Sequence, residues 1–150
     1  MDAGGIALTL LLAGAVRADW CHRIVPNRLV VGGVALGLLF AAVEGPTVLW
    51  LALCAGMSGA LLLLPFYAAQ GMAAGDIKLM GMAGVFLGVP GVFYGVLGTA
   101  LAGGLMAVVW RHAMRGTQRV PARELPRMPY APAIAAGSVG MLCLQASGML

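Results

Sequence analysis

The stretch KLMGMAGVFLGVPGVFYGVLGTALAGGLMAVVWR, residues 78–111, carries charge only at its two ends, Lys78 and Arg111. Everything from Leu79 to Trp110 is uncharged, which is more chain than the roughly 17–25 residues one transmembrane helix takes. Pro90-Gly91 near its middle is a turn signal and divides it. Charge parity agrees. Basic residues are retained on the cytoplasmic side of a membrane, so a segment bounded by Lys78 and Arg111 must cross twice.

Working outward, apolar runs occupy Ala3–Val16, Leu29–Val43, Thr47–Ala69, Leu79–Val89, Gly91–Trp110 and Ala131–Leu150. The first reaches spanning length only if its helix continues to about Asp19. Between Arg28 and Lys78 the parity argument applies again, with Glu44-Gly45-Pro46 as the outer turn. The expected fold is an all-α membrane bundle of about six transmembrane helices with both termini outside. That topology sorts all nine basic residues, from Arg17 to Arg127, to the inside and puts Asp2 and Glu44 outside. The fourth run is the shortest, which leaves a tilted or partly re-entrant segment open.

Bulk properties support a membrane class. With 61% hydrophobic and 9% charged residues and a mean hydropathy of +0.97, the chain has too little polar surface to cover a water-soluble fold. Continuous rather than alternating apolar runs argue against a β-barrel. The start, Met-Asp, lacks a basic segment, and Arg17 follows the first apolar run, so no cleavable signal peptide is expected. A single domain over residues 1–150 is expected. Cys21, Cys54 and Cys143 form no Cys-x-x-Cys pair and read as free thiols. The net charge of +4 sits in loops between spans, which is a topology signal rather than a nucleic-acid surface. Gly33 and Gly37, Gly84 and Gly88, and Gly91 and Gly95 have the four-residue spacing that lets helices approach closely. Packing within the bundle and a homodimer seam both remain open, and oligomeric state is not readable.

Asp19 and Asp76 stand out in a chain with five acids. Each lies where an apolar run meets a charged loop, and an Asp at a span centre costs roughly 2.5 to 3.5 kcal/mol. On the expected topology both face the cytoplasmic boundary. Two adjacent carboxylates cannot both ionise easily, so one keeps a proton, the other can activate water, and no covalent nucleophile is needed. Competing chemistries are poorly supplied. Ser58, Ser138 and Ser147 lie among apolar residues without an evident base, and His22 and His112 lack zinc-site spacing. The bland alternative keeps Asp19 as a solvated partner of Arg17 or Arg23, and Asp76 as a helix cap near Lys78.

The segments around the two acids resemble the motifs of the type IV prepilin peptidase family. Asp19 is followed seven residues later by Pro26-Asn27, and Gly75-Asp76-Ile77-Lys78 matches the end of a Gly-x-Gly-Asp motif followed by a hydrophobic residue and Lys. Met128-Pro129-Tyr130-Ala131-Pro132 is similar to the Pro-Tyr-x-Pro segment before the family's last helix. One position departs: Ala73 stands where the motif has its first glycine, while Gly75 is retained beside the acid, where backbone freedom is expected to matter most.

The resemblance implies an aspartic endopeptidase of the bacterial inner membrane that removes leader peptides from prepilins or pseudopilins at the cytoplasmic face. Asp19 and Asp76 would be its catalytic residues, with Pro26, Asn27, Gly75 and Lys78 supporting them. No metal or organic cofactor is implied. Partners would be the substrate and membrane lipid, without nucleic acid. The cytoplasmic region with paired Cys-x-x-Cys motifs that accompanies N-methylation in larger members has no counterpart here, so the chain resembles the compact, peptidase-only branch serving tight-adherence pili. Two rivals stay open: a small proton-coupled transporter using the same acids as a relay, and a non-catalytic pilus or secretion assembly factor.

Overall fold

The computed structural model describes residues 3–22, 24–68, 72–114 and 130–148. Arg23, the basic run Arg115–Arg127 and Met128-Pro129 lie outside the described residues. Five helical elements follow in order: α1 (Ala3–His22), α2 (Asn27–Glu44), α3 (Pro46–Ala68), α4 (Ala74–Met114) and α5 (Ala131–Ala146). The first apolar run does continue through Asp19, reaching His22. Between α2 and α3 the chain turns on Gly45 alone, at φ 137°.

The decisive element is α4. Its backbone leaves helical geometry at Gly88, with φ 70° and ψ 170°, a region essentially confined to glycine. In an uninterrupted helix Met80 and Gly95 would lie about 22 Å apart. Here a Cβ on Gly95 would sit 3.5 Å from Met80 Cε. The two arms of α4 therefore double back on each other. The break falls just before the expected Pro90-Gly91, for a physical reason. Proline has a fixed φ and no N–H, so it suits the first turn of the second arm, and the turn itself passes to the glycine upstream. Gln145 of α5 closes the junction, donating from Nε2 to the Leu87 carbonyl at 3.5 Å.

The first arm of α4 is the centre of the bundle. Leu79, Met80, Met82, Ala83 and Leu87 are buried on it, and a helix apolar on every side belongs in a core. Small residues let its neighbours close in, which is how helices associate where lipid is as apolar as the side chains. On α2, Gly33 and Gly37 receive Met82, Val85 and Phe86. A Cβ on Gly84 would lie 2.6 Å from the Ala55 carbonyl oxygen of α3. On the second arm of α4, a Cβ on Gly98 would lie 3.0 Å from Gly137 Cα of α5. Two of the glycine pairs read from the sequence thus serve contacts inside the bundle, while Gly88 makes a turn.

The outside is apolar as well. Leu10, Val31, Leu61, Leu101 and Leu105 are exposed, the surface expected against lipid. Exposed aromatics mark two levels: Trp20, Phe66 and Tyr67 near the ends of α1 and α3, and Trp50, Phe93 and Tyr94 near the opposite turns, as aromatic residues do at the two membrane interfaces. Helices α1 to α4 are long and apolar enough to cross a membrane, and α5 is a shorter apolar helix. The protein is an all-α, multi-span membrane bundle.

Candidate active site

Asp19 faces inward because of where it falls on α1. The buried residues of that helix are Gly5, Leu8, Leu12, Ala15 and Asp19, alternating steps of three and four that keep one face toward a partner. Asp19 is the last position of that apolar stripe. On α4, Asp76 is in register with buried Leu79, Met80 and Ala83, so it too projects into the bundle, whereas Lys78 points outward. Asp19 and Asp76 are 8% and 5% exposed, which removes the solvated alternative for Asp19.

Each buried carboxylate has a backbone donor, as the cost of burying it requires. Asp19 Oδ2 accepts from the Ala131 amide at 3.1 Å, at the start of α5. Asp76 Oδ2 accepts from the Ala73 amide at 2.9 Å, and the Asp76 amide donates back to the Ala73 carbonyl at 3.0 Å. The first of these is the side-chain half of a capping box, the N3 acid reaching back to the amide before the helix, and the second is a backbone turn bond. Asp76 is therefore a helix cap as well as an inward-facing acid. Among the described residues these bonds use Oδ2 of each carboxylate and leave Oδ1 to other partners.

The two acids lie within electrostatic reach of each other. Tyr130, just before α5, joins them: burial, and then the charge of Asp76, push its phenol above the ordinary tyrosine value. Among the described residues no group of three or more His, Cys, Asp or Glu converges as a metal site would require.

The supporting residues from the two motifs also meet. Lys78 Nζ donates to Asn27 Oδ1 at 3.1 Å. Pro26 caps α2, its carbonyl accepting from the amides of Leu29 and Val30 at 3.1 and 3.3 Å. The loop before it lays buried Val25 beside Gly75, where a Cβ would find Val25 at 3.7 Å. This revises the expectation for the glycine motif. Gly75 is helical in the first turn of α4, outside the positive-φ glycines, and an added methyl there would make ordinary contact. Ala73 is exposed and contributes through its amide, so the departure at that position leaves the cap intact.

The other candidate nucleophiles do not join the site. Ser58 Oγ donates to the Ala55 carbonyl at 2.9 Å and Ser147 Oγ to that of Leu144 at 2.8 Å. Ser138 is fully buried, and its hydroxyl has no partner among the described residues. The three cysteines are free thiols. Sequence reasoning marked the segment holding Tyr130 and Ala131 as a motif but missed its bond to Asp19. Its contact with Asp19 runs through a backbone amide, for which no residue type is a signal.

Fold and site together define a class: a multi-span membrane protein holding two acids from distant segments on the inner faces of its helices. Comparison with known proteins narrows it. Residues 6–108 match the type IV leader peptidase family, and the chain belongs to that family. It is similar to the prepilin leader peptidase/N-methyltransferase of Bacillus subtilis (strain 168), at 33% identity over 137 residues that cover 89% of this chain and 52% of the relative. The chain thus spans about half the length of the curated relative it matches. No solved structure matches it.

Proposed function

We propose that this protein is a membrane aspartic endopeptidase that cleaves the leader peptide of type IV prepilins or related prepilin-like proteins. What supports the reading is that Asp19 and Asp76, in the two segments that resemble the family's motifs, are both buried in the bundle and within electrostatic reach of each other. Asp19 and Asp76 are the proposed catalytic residues. Pro26, Asn27, Gly75 and Lys78 support them by joining the start of α2 to the start of α4.

In this scheme the two carboxylates share one proton, because ionising both members of a poorly solvated pair is costly. The ionised member takes a proton from a water molecule as the water attacks the scissile peptide carbonyl. The protonated member donates to the carbonyl oxygen as negative charge develops there. Neither a covalent intermediate nor a metal or organic cofactor enters the scheme. The proposal is for peptide cleavage without N-methyl transfer.

The proposal includes a single domain over residues 1–150 with six crossings: α1, α2, α3, the two arms of α4, and α5. Both termini are then outside and the acids lie toward the cytoplasm, in the inner membrane of a bacterium. The doubling back at Gly88 and the two levels of exposed aromatics support this arrangement. The first arm, residues 74–87, is about 20 Å long, short of the roughly 30 Å hydrocarbon core, which favours a recessed Asp76.

Co-expression with a prepilin tests the function. Mature pilin is expected with the wild-type chain and with neither Asp19→Asn nor Asp76→Asn, at undiminished protein levels. Normal processing in either variant would remove the pair. Ion flux without cleavage would point instead to a transporter.

A further inference from the structure

Tyr130 and Ala131, in the segment that resembles the Pro-Tyr-x-Pro motif, lie beyond residues 6–108 that match the family model, and Ala131 bonds directly to Asp19. The first turn of a helix has amides without helical partners, and those of α5 can be followed one by one. Ala131 donates to Asp19 Oδ2 at 3.1 Å. Pro132 has no N–H to give. Ala133 and Ile134 donate to the Tyr130 carbonyl at 3.0 and 3.2 Å. The Ala131 amide is thus the α5 donor that holds the carboxylate, and its direction depends on how this turn is fixed.

What fixes it is the tyrosine side chain. On the second arm of α4, Gly103 is buried with the Tyr130 ring against it. A Cβ on Gly103 would lie 2.6 Å from Tyr130 Cζ and 2.9 Å from Cε1, and would overlap the hydroxyl. The seat exists only because residue 103 has no side chain. From it the phenol also lies within electrostatic reach of Asp76.

We propose that Tyr130 is a positioning residue: seated on Gly103, it locks the first turn of α5 so that the Ala131 amide holds the Asp19 carboxylate toward Asp76. The inference rests on the reading of these acids as the reacting pair. Tyr130 acts through Ala131 and Asp19, and its ring matters more than its hydroxyl.

Four variants test this with a prepilin substrate: Tyr130→Ala, Tyr130→Phe, Gly103→Ala and the Gly103→Ala/Tyr130→Ala double. A misplacement of about 1 Å costs on the order of a hundredfold in rate. Tyr130→Ala and Gly103→Ala are therefore each expected to lower kcat by about tenfold to a hundredfold, with KM within about threefold of wild type. Tyr130→Phe keeps the ring and recovers most of the loss seen in Tyr130→Ala. In the double variant the added methyl has nothing to collide with, so the loss matches that of Tyr130→Ala alone. Multiplying losses, or full activity in Gly103→Ala, would overturn the proposal.

A second measurement separates this inference from the peptidase reading. Hydrogen exchange at the Ala131 amide is expected to be slow in the wild type, and about tenfold or more faster in Gly103→Ala and in Asp19→Ala. Unchanged exchange in Gly103→Ala would refute the positioning role whatever the protein cleaves. The expected exchange pattern in a wild-type chain that cleaves no prepilin would leave the positioning role standing and remove the peptidase reading alone.

Discussion

Asp19 is one helical turn beyond Ala15, and that spacing decides its environment. Leu8, Leu12, Ala15 and Asp19 continue one inward stripe, so the orientation of this acid was legible in the sequence once α1 was extended past Val16. What holds it was not, because its partner is an amide 112 residues away. For Asp76 the pattern of Gly75, Asp76 and Lys78 pointed to the site, yet the reason expected for the glycine differs from the one found. Backbone freedom is not required at Gly75, which is helical and has room for a methyl beside Val25. Gly75→Ala is accordingly expected to fold, and to be as stable as wild type or up to about 1 kcal/mol more stable, since Ala is the better helix former. Thermal unfolding in detergent checks this. Destabilisation by more than about 1 kcal/mol would mean that the first turn of α4 leaves helical geometry in the working protein.

At the level of elements, the apolar runs anticipated each helix among the described residues, and the uncharged stretch between Lys78 and Arg111 anticipated the doubled α4. The turn itself fell at Gly88 instead of at Pro90-Gly91. Turn signals mark a neighbourhood, and the proline is more useful inside the second arm than at the bend. Gly84 and Gly88 have the spacing of a packing pair, but only Gly84 packs, against Ala55 and Gly56. Sequence spacing does not distinguish a glycine chosen for closeness from one chosen for its φ. The difference is testable. No atom lies within 4 Å of a Cβ placed on Gly88, so Gly88→Ala meets no steric neighbour and suffers from its backbone alone. It should destabilise the bundle by about 1–3 kcal/mol. A Gly88→Ala variant as stable as wild type would mean that α4 does not reverse through this residue.

For the whole molecule, the charge pattern is the basis of the proposed sidedness. If α2 crosses from the cytoplasm outward and α4 turns outside, the two ends of α2 must label from opposite faces. In a background without the native cysteines, Ile24→Cys should react with an impermeant thiol reagent only from the cytoplasmic side. Glu44→Cys and Pro90→Cys should react only from outside. Labelling of Ile24→Cys and Glu44→Cys from the same face would contradict the crossings. The proposed arrangement would bring Asp19 and Asp76 to one boundary to act as a unit, and paired groups of that kind lose activity non-additively. The most direct measurement is the rate of leader cleavage by purified protein in lipid vesicles, for wild type, Asp19→Asn, Asp76→Asn and the double variant. The account predicts that each single substitution costs about a thousandfold or more and that the double costs no more than either. Retention of more than about a tenth of the wild-type rate by either single variant, with the chain folded, would contradict it.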